Sequence, residues 1–371
     1  MREYLLVLCV AAGVTFLLTP LARRFALRIG AMAEPRDRDV HAIPTPRLGG
    51  LAMYGGVCAA FAVAHALPAL SNIFRYSDVQ SVIVSGGVIV LIGFADDKWG
   101  LDALTKLAGQ LVAAGVMVLL GLQLLTITLP GVGSLALGPE GVVLTIGLVL
   151  LTVNAVNFID GLDGLAAGVG AIAALALFAF SYSLSSGRLV FGLAQERISA
   201  PTLIAVVLAG ACLGFLPHNF NPARVFMGDT GAMLIGLMLS ASVTSLTGQF
   251  NYGALPTSAA FPVLLPLLLP LAVLAVPFID LLLAVVRRTR AGRSPFSPDK
   301  AHLHHRLLEI GHSHTRAVLI MYFWTALLAF SGVAVSLAGA LPVLSVAGAL
   351  AALALVVLAL PRLRAARAPR P

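Results

Sequence analysis

The residues able to do chemistry in this chain sit in four polar knots between long apolar runs. They are Asp96-Asp97 with a following Lys106; Asn154-Ala-Val-Asn157-Phe-Ile-Asp160-Gly-Leu-Asp163-Gly-Leu165; Pro217 through Gly228-Asp229-Thr230-Gly231; and His302-Leu-His304-His305. Adjacent carboxylates repel each other, so Asp96 and Asp97 need a cation, a metal or a donor nearby. Successive helical side chains also point about 100° apart, which favours two separate jobs over one shared ligand. Asp160 and Asp163 stand three apart and would share one face of a helical turn, with Asn157 joining it. Oxygen ligands of this kind suit Mg²⁺, which takes one or two protein groups and completes its octahedron with water and phosphate. Gly161 and Gly164 let the chain turn and bring its backbone close to a ligand. The three clustered histidines look like a zinc site at first sight, but no Cys or carboxylate stands at ligand spacing. Their segment, Arg287 to Arg316, carries seven basic residues and five histidines, and such charge repels metal and attracts phosphate.

Each knot also has a structural account. An interfacial acidic cap with Trp99 as anchor would explain Asp96 and Asp97. A polar turn would explain residues 157 to 164, and a helix N-cap would explain Asp229 or Thr230. A solvated basic loop covers Ala33 to Gly50, including His41 and Arg47. In that loop Pro44 and Pro46 hold the chain extended, and Gly49-Gly50 lets the next helix start in tight quarters.

The elements that carry these knots must lie in a bilayer. Of 371 residues, 59% are hydrophobic and 11% charged, and mean hydropathy is +0.98, far from a soluble domain. Apolar runs long enough to span hydrocarbon fall near 3–20, 49–69, 79–95, 103–121, 140–157, 162–183, 200–217, 229–246, 257–286, 316–338 and 340–360. The expected fold is therefore all-α, a polytopic integral membrane protein of ten to eleven helices forming one domain over 1–371. Its cytoplasmic loops lie at about 21–48, 96–106, 157–164, 218–228 and 287–315, with a tail at 361–371. Placing the N-terminus outside gathers twenty of the twenty-four Lys and Arg on the inner side and leaves Arg2, Arg75, Arg188 and Arg197 outside. The net charge of +8 is then a topology signal, with no nucleic acid implied.

Residues 122–140 read as a small external β-hairpin. The run 257–286 holds Pro262, Pro266, Pro270 and Pro277 and should be kinked, with Asp280 near its inner end suited to an ion pair. Cys9, Cys58 and Cys212 lie in apolar runs without metal spacing and read as packing residues.

Five motifs in order, on one side of one membrane protein, resemble the polyprenyl-phosphate N-acetylhexosamine-1-phosphate transferases, with their WecA, TagO and MraY branches. The motifs are Pro44-Thr-Pro-Arg-Leu-Gly-Gly50, Asp96-Asp97 with Lys106, Asn157-Phe-Ile-Asp-Gly-Leu-Asp-Gly-Leu165, Phe226-Met-Gly-Asp-Thr-Gly231 and His302-Leu-His-His305. The resemblance implies transfer of a sugar 1-phosphate from a UDP-sugar to a polyprenyl phosphate at the cytoplasmic face, with release of UMP. By similarity, Asp229 and Asn157 hold Mg²⁺, with Mn²⁺ as a substitute. Asp163, Asn219 and Phe226 hold the uracil, Asp96 faces the lipid phosphate, and His304 and His305 meet the donor pyrophosphate or sugar. Asp97 is expected to support Lys98 or Lys106. His302, Arg306, Lys106, Asp160, Arg47 and His41 are further substrate-side candidates, and a homodimer is allowed. Leu303 between the histidines, together with Arg47, resembles the WecA and TagO branch, implying UDP-N-acetylglucosamine. A UDP-N-acetylmuramoyl-pentapeptide donor is the runner-up. An ion-coupled transporter is the alternative of a different class, disfavoured because the acidic knots lie at helix ends and no internal repeat is evident.

Overall fold

The protein is described from a computed structural model covering residues 1–33, 44–129, 133–186, 200–248 and 312–367, with isolated positions between 268 and 292. Ten helices occur among the described residues: α1 (Arg2–Ile29), α2 (Gly49–Ala66), α3 (Asp78–Trp99), α4 (Ala103–Leu119), α5 (Pro139–Ile159), α6 (Leu165–Ser185), α7 (Ala200–Asn219), α8 (Gly228–Gly248), α9 (His314–Ala338) and α10 (Ala340–Arg367). Ten of the eleven apolar runs are thus helices, and the proline-studded run 257–286 lies outside the described residues. Among the described residues eight of the helices are long and apolar enough to cross a membrane, α4 being shorter. Outward-facing side chains such as Leu17, Leu91, Leu119 and Val143 are largely exposed, as lipid-facing positions should be.

A short pair, β1 (Met32–Ala33) with β2 (Thr45–Pro46), closes the base of the proline loop. The expected hairpin is β3 (Thr126–Leu129) with β4 (Gly133–Ala136), antiparallel with Thr126 opposite Ala136.

The core is α8. It packs against α2, α3, α5, α6 and α7, and from Gly228 to Thr247 every residue is buried except Asp229. A helix apolar all round belongs in the middle of a bundle. A single half-buried carboxylate at its first turn is therefore the exception to explain.

Small residues allow the close approaches a membrane bundle needs. A Cβ on Gly214 would lie 2.1 Å from Ala12 O of α1, and one on Gly56 would lie 2.0 Å from Thr15 Oγ1. The free cysteines are packing or lipid-facing residues, with Cys212 buried and Cys9 exposed.

Candidate active site

Two backbone contacts bring the site together. At Gly93 of α3 a Cβ would stand 2.5 Å from Thr230 Cα, so only glycine lets α3 touch the start of α8. At Gly50 a Cβ would stand 2.2 Å from Gly231 N, which meets the expectation that α2 starts in tight quarters. The extended proline segment runs beside residues 226–227 like a further strand. Phe226 N donates to Pro46 O at 2.8 Å, Gly49 N to Phe226 O at 3.0 Å, and Gly50 N to Met227 O at 3.0 Å.

One turn beyond Gly93, Asp97 caps α8 from outside. Its Oδ1 accepts from Asp229 N at 2.9 Å, and its Oδ2 accepts from Thr230 N at 3.0 Å and Thr230 Oγ1 at 2.6 Å. The first amides of a helix lack intrahelical acceptors and carry its positive end, so a buried carboxylate is well matched there. Two expectations are corrected by this. Neither Asp229 nor Thr230 is the cap, because both lie inside the first turn and receive it. Nor does Asp97 support a lysine: Lys98 Nζ donates to Ile29 O at the end of α1, and Lys106 reaches Asp96 and Asp229.

Lys106 joins those two carboxylates. Its Nζ lies 3.0 Å from Asp96 Oδ2 and donates to Asp229 Oδ2. Asp96 Oδ1 accepts from Leu101 N at 2.7 Å, on the turn into α4. That helix is capped by Asp102, which accepts from Leu104 N at 2.9 Å and Thr105 N at 3.0 Å. On the other flank, Asn157 Nδ2 donates to Asp229 Oδ1 at 2.6 Å. One turn deeper on α4 and α5, Asn154 Nδ2 donates to Gln110 Oε1 at 2.8 Å, a buried clasp beneath Lys106 and Asn157.

Asp160 and Asp163 do not share a face. Residues 160–164 form a non-helical turn that ends with Gly164 at φ 78°, and the two carboxylates meet different neighbours. Asp160, outside the spanning helices, has its carboxyl pushed up to about 8, first by burial and then by the charges of Asp229 and Asp97, with Arg47 opposing. Asp163 is 2% exposed, and its Oδ2 accepts from Asn221 Nδ2 at 2.9 Å and Ala223 N at 3.0 Å. Asn219 is equally buried. Its Oδ1 accepts from Gly164 N at 3.1 Å, and its Nδ2 donates to Val225 O at 3.0 Å. These two side chains brace the 219–225 loop against the 160–164 turn, beside the half-buried Phe226.

Could the cluster hold a divalent cation? Asp96, Asp97, Asp160 and Asp229 bring four carboxylates together against Lys106 and Arg47. Asp229 and Asn157 are adjacent and both carry hard oxygens, with Asp229 Oδ1 accepting from Asn157 Nδ2 and its Oδ2 from Lys106, so a cation bound here would replace those donors. Among the described residues no three or more His, Cys, Asp or Glu converge as a metal group. Two protein donors with open coordination positions fit Mg²⁺ and do not fit a closed structural metal.

His41, His302, His304, His305 and Arg306 lie outside the described residues. Several residues of the site carried little or no signal in the sequence. His314 Nε2 accepts from Asp163 N at 3.0 Å, and the Tyr322 hydroxyl donates to Gly164 O. Lys98 closes α1, and Gln110 pairs with Asn154. Tyr322 carried a faint signal, since a Cβ on Gly168 would meet its ring and Gly164 and Gly168 stand one turn apart. Gln110 is a lone carboxamide in an apolar run.

A sequence model described as glycosyl transferase family 4 matches residues 79–247, which include all four of those carboxylates, Lys106 and Asn157. The chain is 53% identical over 337 residues to the decaprenyl-phosphate N-acetylglucosaminephosphotransferase of Mycolicibacterium smegmatis, covering 89% of this chain and 81% of that one. It is 34% identical over 307 residues to a probable undecaprenyl-phosphate N-acetylglucosaminyl 1-phosphate transferase of Bacillus subtilis, covering 82% and 77%. To the undecaprenyl-phosphate alpha-N-acetylglucosaminyl 1-phosphate transferase of Escherichia coli it is 28% identical over 328 residues, covering 86% and 81%. With likeness at this level running through the helices that build the Asp96–Lys106–Asp229 cluster, the chain belongs to glycosyl transferase family 4.

Proposed function

We propose that this protein transfers N-acetylglucosamine 1-phosphate from UDP-N-acetylglucosamine to a polyprenyl phosphate, forming polyprenyl-diphospho-N-acetylglucosamine and UMP at the cytoplasmic face of a bacterial inner membrane. The reaction and acceptor class follow from the relatives' names and the family. The observation that carries the site is the Lys106 bridge between Asp96 and Asp229, with Asn157 on the far side of Asp229.

An acceptor phosphate oxygen forms a bond to the β-phosphorus of the donor. The bond from that phosphorus to the bridging oxygen breaks, and UMP departs with that oxygen. The obstacle is repulsion among three phosphates, so charge neutralisation and positioning matter most. A phosphate monoester with a second pKa near roughly 6 is already mostly dianionic at neutral pH, which favours direct attack over a covalent aspartyl intermediate. Asp229 and Asn157 would hold Mg²⁺, which when bound supplies positive charge to the donor diphosphate. Lys106 keeps two carboxylates in register and presents its ammonium beside the reacting phosphates. Asp96 orients the acceptor phosphate or finishes its deprotonation. Asp97 acts through α8, fixing where Asp229 stands. Phe226 would stack on the uracil next to the Asp163–Asn219 brace, and His304 and His305 would meet the donor diphosphate or sugar.

Turnover by purified protein on a panel of UDP-sugars with one polyprenyl phosphate tests this reading. UDP-N-acetylglucosamine should be the preferred donor. Preference for UDP-N-acetylmuramoyl-pentapeptide would move the protein to the runner-up branch. Absence of lipid-linked product from every UDP-N-acetylhexosamine would sink the transferase assignment.

A further inference from the structure

The Thr45–Pro46 strand and residues 223–225 line a concavity of about 570 Å³ together with Pro20, Arg23, Pro44 and His218. None of Asp96, Lys106, Asn157 or Asp229 lines it, and its lining contains no acidic side chain. Arg23 Nε donates to Arg224 O at 3.3 Å, which anchors the α1 guanidinium beside the loop. The terminal nitrogens of Arg23 and the whole Arg224 guanidinium meet no carboxylate or other acceptor among the described residues. His218 completes the rim, its ring tilted 36° to that of Phe16 with centroids 4.6 Å apart and its Nε2 lying 3.1 Å from Phe16 O. On the same face of α1 as Arg23, the apolar side chains of Phe16, 44% exposed, and Pro20 lead away from the groove.

Two guanidiniums with no counter-charge among the described residues, set in a formed groove beside α1, match one ligand chemistry. That ligand is a phosphate headgroup whose acyl chains continue along the helix. We propose that this groove binds the phosphodiester headgroup of an anionic phospholipid of the surrounding leaflet. The polyprenyl phosphate acceptor shares the phosphate chemistry but has to reach Asp96, which does not line this groove, so the bulk phospholipid is the better occupant. Binding here also bears on the transfer site. The Arg224 amide donates to His218 O at 2.9 Å, and the neighbouring Ala223 amide donates to Asp163. A headgroup holding Arg224 therefore steadies the loop that Asp163 and Asn219 brace. The lipid site itself does not depend on which sugar is transferred.

The test titrates delipidated full-length protein in a neutral detergent with phosphatidylglycerol, phosphatidylcholine and polyprenyl phosphate, reading bound lipid by native mass spectrometry. Parent protein should retain phosphatidylglycerol over phosphatidylcholine. The double variant Arg23→Gln/Arg224→Gln should retain phosphatidylglycerol about 30-fold more weakly, with polyprenyl phosphate unchanged. The charge-keeping Arg23→Lys/Arg224→Lys should recover most of the binding, and Arg75→Gln should match the parent. Equal retention of the two phospholipids by the parent, an unaltered double variant, or loss of polyprenyl phosphate instead would each overturn the proposal. If the double variant does not fold, phosphatidylglycerol with a photoactivatable acyl chain decides on parent protein. Cross-links between Phe16 and Phe25 support the site, and cross-links confined to other helices refute it.

Discussion

Across 132 residues of chain, the Asp97 carboxylate holds the Asp229 amide at 2.9 Å while its other oxygen holds Thr230. Two neighbouring aspartates on α3 thereby do different work. Asp97 fixes the helix that carries Asp229, and Asp96 shares Lys106 with it. Asp97→Asn would keep one accepting oxygen but set an amide donor against one or two of the three donors. It should lower unfolding stability by about 2–4 kcal/mol as well as turnover. Asp96→Asn should reduce turnover with a much smaller loss of stability. Thermal unfolding of both variants beside a transfer assay checks the division; equal stability losses would contradict it.

Lys106 is the resident cation between Asp96 and Asp229. Lys106→Met should leave a site more in need of external charge, so added Mg²⁺ should raise its melting temperature by more than it raises the parent's. Asp229→Asn should abolish that shift. Thermal shifts in EDTA and in Mg²⁺ read this directly, and an unaltered Mg²⁺ response in Asp229→Asn would remove Asp229 from the metal set.

Asp160 has a folded pKa of about 8, raised from an ordinary carboxylate value chiefly by burial. Its protonated form is favoured by folding, so its contribution is greatest below the unfolded pKa and is lost as pH rises through about 8. Asp160→Asn should therefore stabilise the EDTA-treated protein, more at about pH 9 than at about pH 5. Equal gains at both pH values would show that Asp160 is not held in that state.

The glycine contacts give a steric test. Gly50→Ala and Gly93→Ala each thrust a Cβ into the backbone at 230–231, 2.2 Å and 2.5 Å from its nearest atoms. Both should impair folding and transfer together. Gly147→Ala on α5, where nothing lies within 4 Å, should be neutral or stabilising by up to about 1 kcal/mol.

Much of this was legible in the residues because the bilayer enforces length and apolarity. Ten apolar runs became helices, and the Thr126–Ala136 hairpin formed within the 122–140 segment expected to hold one. Asn157 and Asp229 also emerged as expected neighbours, whereas Lys106, expected beside Asp97, stands between Asp96 and Asp229. The role of Asp97 was not legible, because a cap donated from another helix leaves no local pattern, and a Gly-Asp-Thr-Gly reads equally well as capping itself. The different surroundings of Asp160 and Asp163 escaped for a related reason. Spacing of three implies a shared face only on a helix, and Gly164 at positive φ ends that premise. His314 was one of five histidines in a basic segment and Tyr322 lay in an apolar span, and their partners lie about 150 residues earlier.

The most direct measurement of the transfer chemistry is formation of lipid-linked sugar and UMP from doubly labelled UDP-N-acetylglucosamine and polyprenyl phosphate, by parent and Asp229→Asn protein of matched fold. The parent should give equimolar products, dependent on Mg²⁺, and the variant should lose at least about 100-fold in rate. Undiminished product from Asp229→Asn, or none from the parent with Mg²⁺ present, would contradict the site built around Asp229.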